Sequence, residues 1–164
     1  MKVSSSPDKI VLGFYEAFDK GELDRATALL APDFVAHVAG SSEPLDRESF
    51  ADFGLKFSQA FPDGQHIFNQ VLVDGNRVVT EGKFVGTHTG SFQGLPPTGK
   101  KVQFSLMHID LVEDGLIVEH WGQGDQLGLI QQLGILTIPG PTLVWKFLVA
   151  ALLNPLKIVS VKDR

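Results

Sequence analysis

The chain has 164 residues, of which 43% are hydrophobic and 20% charged, and its formal net charge is −5 at pH 7. These values are typical of one globular domain with a sizeable core. Acidic charge without a cluster of Lys and Arg argues against nucleic acid as a partner. The chain has no cysteine, which excludes disulfides and thiolate chemistry. Its N-terminus lacks the apolar core of a secretory signal, so we expect a cytoplasmic protein.

The first part of the chain predicts three helices. The first starts at Ser6-Pro7-Asp8, which offers a capping serine, a proline at the first helical position and an acid near the positive end. A second short helix ends before Pro32, and a short strand is predicted over 34–38. The third helix starts at Asp46. Its apolar stripe consists of phenylalanines at helical spacing, namely Phe50, Phe53, Phe57 and Phe61.

The second part of the chain changes to a period of about two, which predicts strands. These cover residues 66–73, 77–87, 101–112 and 116–124. Two Gly-containing turns, one at 74–76 and one at 114–115, join neighbouring strands, and 89–99 is a loop rich in Gly and Pro. Helices followed by antiparallel strands favour an α+β fold, with the helices on one face of a curved, mostly antiparallel sheet. We expect this domain to cover residues 1–138.

Residues 139–164 are predicted to form an apolar C-terminal extension rather than a second domain. The run Leu143–Leu153 is too short to span a bilayer. A segment that is apolar on nearly every face is normally buried, here against the protein's own body or a second subunit. Weak contact with a membrane surface, through lysines that face anionic headgroups, is the alternative.

Asp125 is the first candidate for chemistry. It stands between a predicted strand and a predicted helix, and it has the same strand parity as Trp121 and Gln123. An Asp directly before a helix is a good cap. If its pocket is walled by Phe and Trp, desolvation would instead raise its pKa, which suits a base that works near neutral pH.

Two motifs carry a resemblance to a known family. They are GTHTGSFQGLPPTGKKV at 86–102 and the stretch 113–135, which contains Glu119, Trp121, Asp125 and then Gln-Gln-Leu-Gly. In these motifs the chain resembles the SnoaL-like polyketide cyclases, which share a cone-shaped α+β superfamily with ketosteroid isomerases and nuclear transport factor 2. The resemblance implies a deep apolar pocket under three N-terminal helices, a homodimer, and Asp125 as the general acid/base.

The remaining site candidates come from the same comparison and from the strand pattern. His37 lies on a short strand where the family often has a pocket-facing His or Asn, and His108 is a further candidate in mid-strand. Leu111 and Glu81 stand where the family often has polar or Arg side chains. His88 and His120 are interpreted as structural or exposed, and the five histidines show no metal-site spacing. The predicted substrate-binding residues are Phe14, Phe18, Phe34, Phe53, Phe57, Glu81, Leu111, Trp121 and Gln123.

The resemblance implies an enzyme that needs no cofactor and acts on a small hydrophobic carbonyl substrate. Asp125 would take an acidic proton beside a carbonyl, and the enolate would close a ring in an aldol-type reaction or rearrange in a related isomerisation. A different class stays open from the same residues. A pocket with one unassisted acid would also suit a non-catalytic protein that binds a hydrophobic ligand, or a dimeric scaffold.

Overall fold

The computed structural model describes residues 6–135 together with Trp145 and Val149. Most of the predicted C-terminal extension therefore lies outside the described residues. The elements, in chain order, are α1 Pro7–Asp19, α2 Leu23–Thr27, β1 Leu30–Val38, β2 Leu45–Asp46, α3 Arg47–Ala60, β3 Gln65–Asp74, β4 Arg77–Thr87, β5 Lys101–Glu113, β6 Leu116–Gly124 and α4 Gln126–Leu133. None of the helices in the described part of the chain combines the length and apolar composition that a bilayer crossing requires.

The six strands form one open sheet in the order β2-β1-β6-β5-β4-β3. Strand β1 is parallel to β6, and every other neighbouring pair is antiparallel. Helix α1 packs across β3 to β6, α3 packs on β1, and α4 packs on β5. The predicted α+β fold, with helices on a mostly antiparallel sheet, is confirmed.

Turn chemistry fixes the strands that were predicted most accurately. The β5–β6 connection consists of Asp114 and Gly115, with φ angles of 49° and 83°. A two-residue hairpin whose two positions both have positive φ matches the right-handed twist of the strands it joins, and Asp-Gly is a favoured pair there. Strand β6, which starts after this turn, has the predicted bounds, and so does β4, which starts after the turn that contains Gly75.

The segment before α3 differs from its prediction. Helix α2 ends at Thr27, and Leu30, predicted as helical, begins β1 instead. The strand continues through Pro32, which has no N–H to give to a ladder. The pairing of β1 with β6 shifts between Leu30 and Val35, which accommodates this proline. Strand β2 has two residues, too few for an alternating pattern to show.

The core has two hydrophobic clusters on the helix side of the sheet. One joins α1, α2 and β1 and contains Phe34, which is 1% exposed. The other joins the end of α3, strands β4 and β5, and α4, around Phe61 and Phe84. Strand β5 shows how the sheet faces divide: His108 and Asp110 are buried on the helix side, whereas Met107 is exposed on the opposite, outer side.

Candidate active site

A cavity of about 340 Å³ opens between α1, α3, α4 and the inner face of the sheet. Aromatic rings, together with aliphatic side chains, line its wall. Four of the predicted pocket phenylalanines line it: Phe14, Phe18, Phe53 and Phe57. The fifth, Phe34, does not, because its ring is enclosed in the core cluster of α1 and β1. The cavity is thus walled by side chains that bind hydrophobic, ring-containing molecules.

Three histidines interrupt this apolar wall. The ring centroid of His108 lies 6.0 Å from that of His66 and 5.3 Å from that of His120, and all three residues line the cavity. Tyr15 stacks on His108 with a centroid distance of 4.9 Å. Of the predicted catalytic residues, only His108 therefore lies at the cavity.

His120 and Asp110 form a buried pair. The Nδ1 atom of His120 lies 2.8 Å from Oδ1 of Asp110, and Asp110 is 1% exposed. An ionised carboxylate only accepts hydrogen bonds, so Nδ1 carries the proton and Nε2 of the neutral ring is left as an acceptor. A Cβ atom at Gly122 would lie 2.8 Å from that Nε2, so the missing side chain leaves room for a ligand atom there. This arrangement suits a general base.

His108 is a neutral neighbour of that pair. Its Nδ1 atom lies 3.2 Å from Oγ1 of Thr80. Burial lowers the pKa of His108 well below its ordinary 6.5, and the nearby His120 and His66 lower it further. Burial likewise raises the pKa of Tyr15 well above 10, with contributions from the charges of Asp110 and Asp19. Both stacked rings are therefore uncharged near neutral pH.

His66 is held by a second carboxylate. Its Nδ1 atom lies 2.6 Å from Oδ1 of Asp19, and its backbone N–H donates to Oδ2 of the same carboxylate over 2.8 Å. The cavity wall thus contains two histidines, each with Nδ1 bound to an aspartate. Within the described residues, no group of His, Asp and Glu has the arrangement of a metal site.

Asp125 lies outside the cavity wall. It is exposed, and its Oδ1 accepts a hydrogen bond of 2.8 Å from the backbone N–H of Gly128, which makes it the N-cap of α4. This is the position that the helix-cap interpretation predicted. The predicted catalytic role of Asp125 stays a prediction, and Asp125 is not among the residues that line the cavity.

Four further predicted site residues lie on the outer face of the sheet. His37 stacks on Trp121 at 5.3 Å and approaches Glu119 at 3.0 Å, and Glu81 lies 3.4 Å from Asn69. Leu111 shares the outward parity of β5. None of these four residues is among those that line the cavity, because each has the strand parity that faces away from the helices, and their predicted roles stay predictions. Gln123, near the end of β6, does line it.

The sequence interpretation missed His120, Asp110 and His66. A regular hairpin around Asp114-Gly115 would place Asp110 opposite Glu119. The register of β5 and β6 shifts between Leu111 and Val112, and this shift pairs Asp110 with His120 instead. Such an irregularity leaves no periodic signal in the sequence. The one usable signal was the shared parity of His108 and Asp110 on one predicted strand.

Comparisons with known proteins identify the family. A model of the SnoaL-like polyketide cyclases matches residues 9–133. An aklanonic acid methyl ester cyclase from Streptomyces peucetius is 26% identical over 129 residues, which cover 76% of this chain and 88% of that protein. The crystal structure of IdmH from Streptomyces antibioticus, a suspected polyketide cyclase, is 34% identical with a TM-score of 0.71, over 79% of this chain and 99% of IdmH. AclR from Streptomyces galilaeus, a suspected hydroxylase, is 26% identical with a TM-score of 0.75, over 90% and 93% of the two chains. The chain therefore belongs to the SnoaL-like polyketide cyclase family.

Proposed function

We propose that this chain is a cofactor-free cyclase-type enzyme in which His120, supported by Asp110, is the general base. The observation that carries the proposal is the buried Asp110–His120 pair in the wall of an apolar cavity. Such a pair fixes the tautomer of the imidazole and stabilises the imidazolium that forms when Nε2 accepts a proton.

The proposed reaction is an intramolecular ring closure. Nε2 of His120 takes a proton from a carbon beside a carbonyl, and the resulting enolate carbon attacks a second carbonyl of the same molecule. The aromatic walls hold the two reacting carbons together and exclude water, which replaces an encounter in solution with a fixed geometry. A related isomerisation needs the same first step and returns the proton at another atom.

The neutral state of His108 supports this assignment. A protonated His108 beside His120 would oppose the formation of a second positive charge there. Because burial keeps the pKa of His108 low, the proton taken up by His120 meets the negative charge of Asp110 and no competing cation from that ring. The electrostatics of the cavity thus favour proton transfer to His120.

Aklanonic acid methyl ester is the first substrate to test, because a named relative in the family is a cyclase of that ester. Proton abstraction is measured as exchange of the α-hydrogen in D₂O by NMR, and ring closure by chromatography of the product. We expect His120→Asn, whose amide can still donate to Asp110, to lower both rates by about 100-fold or more.

The parallel variant Asp125→Asn separates this mechanism from the one that the sequence suggested. We expect it to retain both rates. Loss of both in Asp125→Asn, with His120→Asn active, would transfer the base to Asp125. If the unaltered protein binds the ester without exchange or closure, the alternative function, binding of a hydrophobic ligand without catalysis, replaces the enzyme.

A further inference from the structure

We propose that His66, held by Asp19, is the general acid of this site and protonates the carbonyl oxygen that is attacked during ring closure. This inference rests on the proposed function, in which His120 is the base. The inference gives a role to the second carboxylate–histidine pair of the cavity wall. Abstraction of the first proton by His120 does not use this pair.

Asp19 holds the ring of His66 in one orientation. It is the last residue of α1, and its two oxygens bind two different atoms of His66, the ring Nδ1 at 2.6 Å and the backbone N at 2.8 Å. The side chains of His66 and Asp19 are 9% and 18% exposed. With Nδ1 bound to the carboxylate, Nε2 is the ring nitrogen that remains for a ligand in the cavity that His66 lines.

The surroundings of His66 are those of a positioned imidazole. Four aromatic rings pack against it, those of Tyr15, Phe84, Phe18 and Phe68, at centroid distances of 4.9, 5.3, 5.7 and 6.0 Å. A purely structural link between α1 and β3 would be complete with the bond from Asp19 to the backbone N–H of His66. The additional bond from Asp19 to Nδ1 orients the ring and leaves Nε2 as the nitrogen that can face a ligand in the cavity.

The position of His66 relative to His120 suits a reaction with two separated centres. In the order of the strands, His108 on β5 stands between His120 on β6 and His66 on β3, and its ring lies 5.3 Å from the first and 6.0 Å from the second. In an aldol closure the carbon that loses its proton and the oxygen that gains one are different atoms several bonds apart. A base and an acid on either side of a neutral ring can reach these two atoms in one bound substrate.

The proton and electron balance of the step is complete. The C–H bond breaks, its proton goes to Nε2 of His120, and its electron pair forms the new C–C bond. The π pair of the attacked carbonyl moves to its oxygen, which takes the proton from Nε2 of His66. No oxidant or reductant is consumed. His120 then carries the extra proton and His66 has lost one, and exchange with water at the cavity mouth restores both.

The test compares His66→Asn with the unaltered protein. The Asn amide can keep the bond to Asp19 that Nδ1 makes but has no atom at the position of Nε2, so a structural role survives in it. With aklanonic acid methyl ester, we expect His66→Asn to keep α-hydrogen exchange within about threefold of the unaltered protein and to lose ring closure by about 100-fold or more.

Failure of the inference differs from failure of the proposed function. If His66→Asn closes the ring at the unaltered rate, His66 is not the acid, while His120 remains the base. If the unaltered protein neither exchanges the α-hydrogen nor closes the ring of the ester, the proposed function fails for that substrate, and a binding measurement then tests the role of His66.

The probe for this binding measurement is a hydroxyanthraquinone whose phenol and phenolate differ in absorbance. A bound phenol pKa that is lowered in the unaltered protein and restored in His66→Asn supports an acid at His66, and equal spectra in the two proteins overturn it.

Discussion

Asp125 stabilises the start of α4 through one hydrogen bond, which its side chain accepts from the backbone N–H of Gly128. Removal of an N-cap acceptor leaves that N–H without its partner and costs about 1 kcal/mol. We therefore expect Asp125→Ala to lower the free energy of unfolding by this amount, and Asp125→Asn, which retains an oxygen acceptor, to lower it less. Urea denaturation measures both. An Asp125→Ala protein of unchanged stability would show that the bond is not a cap.

His108 makes stability depend on pH. Its pKa in the folded protein is well below 6.5, so the unfolded chain binds the proton more readily. The stabilising contribution is complete above the unfolded pKa of about 6.5 and is lost as pH falls below it, at up to about 1.4 kcal/mol per pH unit. Denaturation at several pH values should show this slope, and a smaller one in His108→Gln. Equal slopes in the two proteins would mean that His108 can be protonated in the folded state.

The residues of the site were only partly predictable from the sequence. The phenylalanine wall followed from helical spacing, because α1 and α3 each present one apolar stripe to the sheet. The carboxylate–histidine pairs did not follow. His66 meets Asp19 across 47 positions of the chain, and Asp110 meets His120 only because the β5–β6 register shifts. Side-chain parity on a strand is known from sequence, but which parity faces the cavity depends on how the helices cover the sheet.

At the level of whole elements, Gly82 permits the bend in β3. The β3–β4 register shifts between Phe68 and Gln70, beside Gly82, and a Cβ atom there would collide with the backbone oxygen of Ile67. Backbone cannot move aside as a flexible side chain can, so we expect Gly82→Ala to cost about 1–3 kcal/mol of stability. Thermal unfolding monitored by circular dichroism tests this. Stability equal to that of the unaltered protein would show that the bend is not fixed by this contact.

Gly13 supplies the matched control for that substitution. It lies inside α1, where a Cβ atom would come no closer than 3.9 Å to Leu29. Because glycine in a helix interior costs up to about 1 kcal/mol relative to alanine, Gly13→Ala should raise stability where Gly82→Ala lowers it. Comparison of the two Gly→Ala variants then distinguishes the steric effect of a close backbone contact from the general effect of glycine flexibility on stability.

The elements themselves were predicted best where local chemistry decides. Asp46 caps α3 by accepting from the backbone N–H of Ser49 at 2.8 Å, as the sequence suggested. Each hairpin turn sets the end of the strand before it and the start of the strand after it. The two failures, the early end of α2 and the short strand β2, have a different cause. Helix α2 ends early because Leu30 already belongs to β1, which pairs with β6, and β2 is a strand only through its pairing with β1. Both pairings join separate segments, and no local pattern encodes them.

At the scale of the whole molecule, the outer face of the sheet is conspicuously apolar. The strand register places His37, Trp121, Ile109, Val79 and Leu72 in one row across five strands. Along it, Ile109 is 40% and Leu72 60% exposed. Apolar surface that is contiguous over several strands is uncommon on a monomer and marks an interaction site.

We expect a second copy of the chain to cover this face, in line with the predicted homodimer. Ile109 lies in the middle of the row, so Ile109→Arg would place two charges in the interface of a symmetric dimer and separate the subunits. Light scattering after size-exclusion chromatography should change from two chains to one. The cavity opens on the opposite face, so the separated subunit should retain its chemistry. A single-chain mass for the unaltered protein would contradict the dimer.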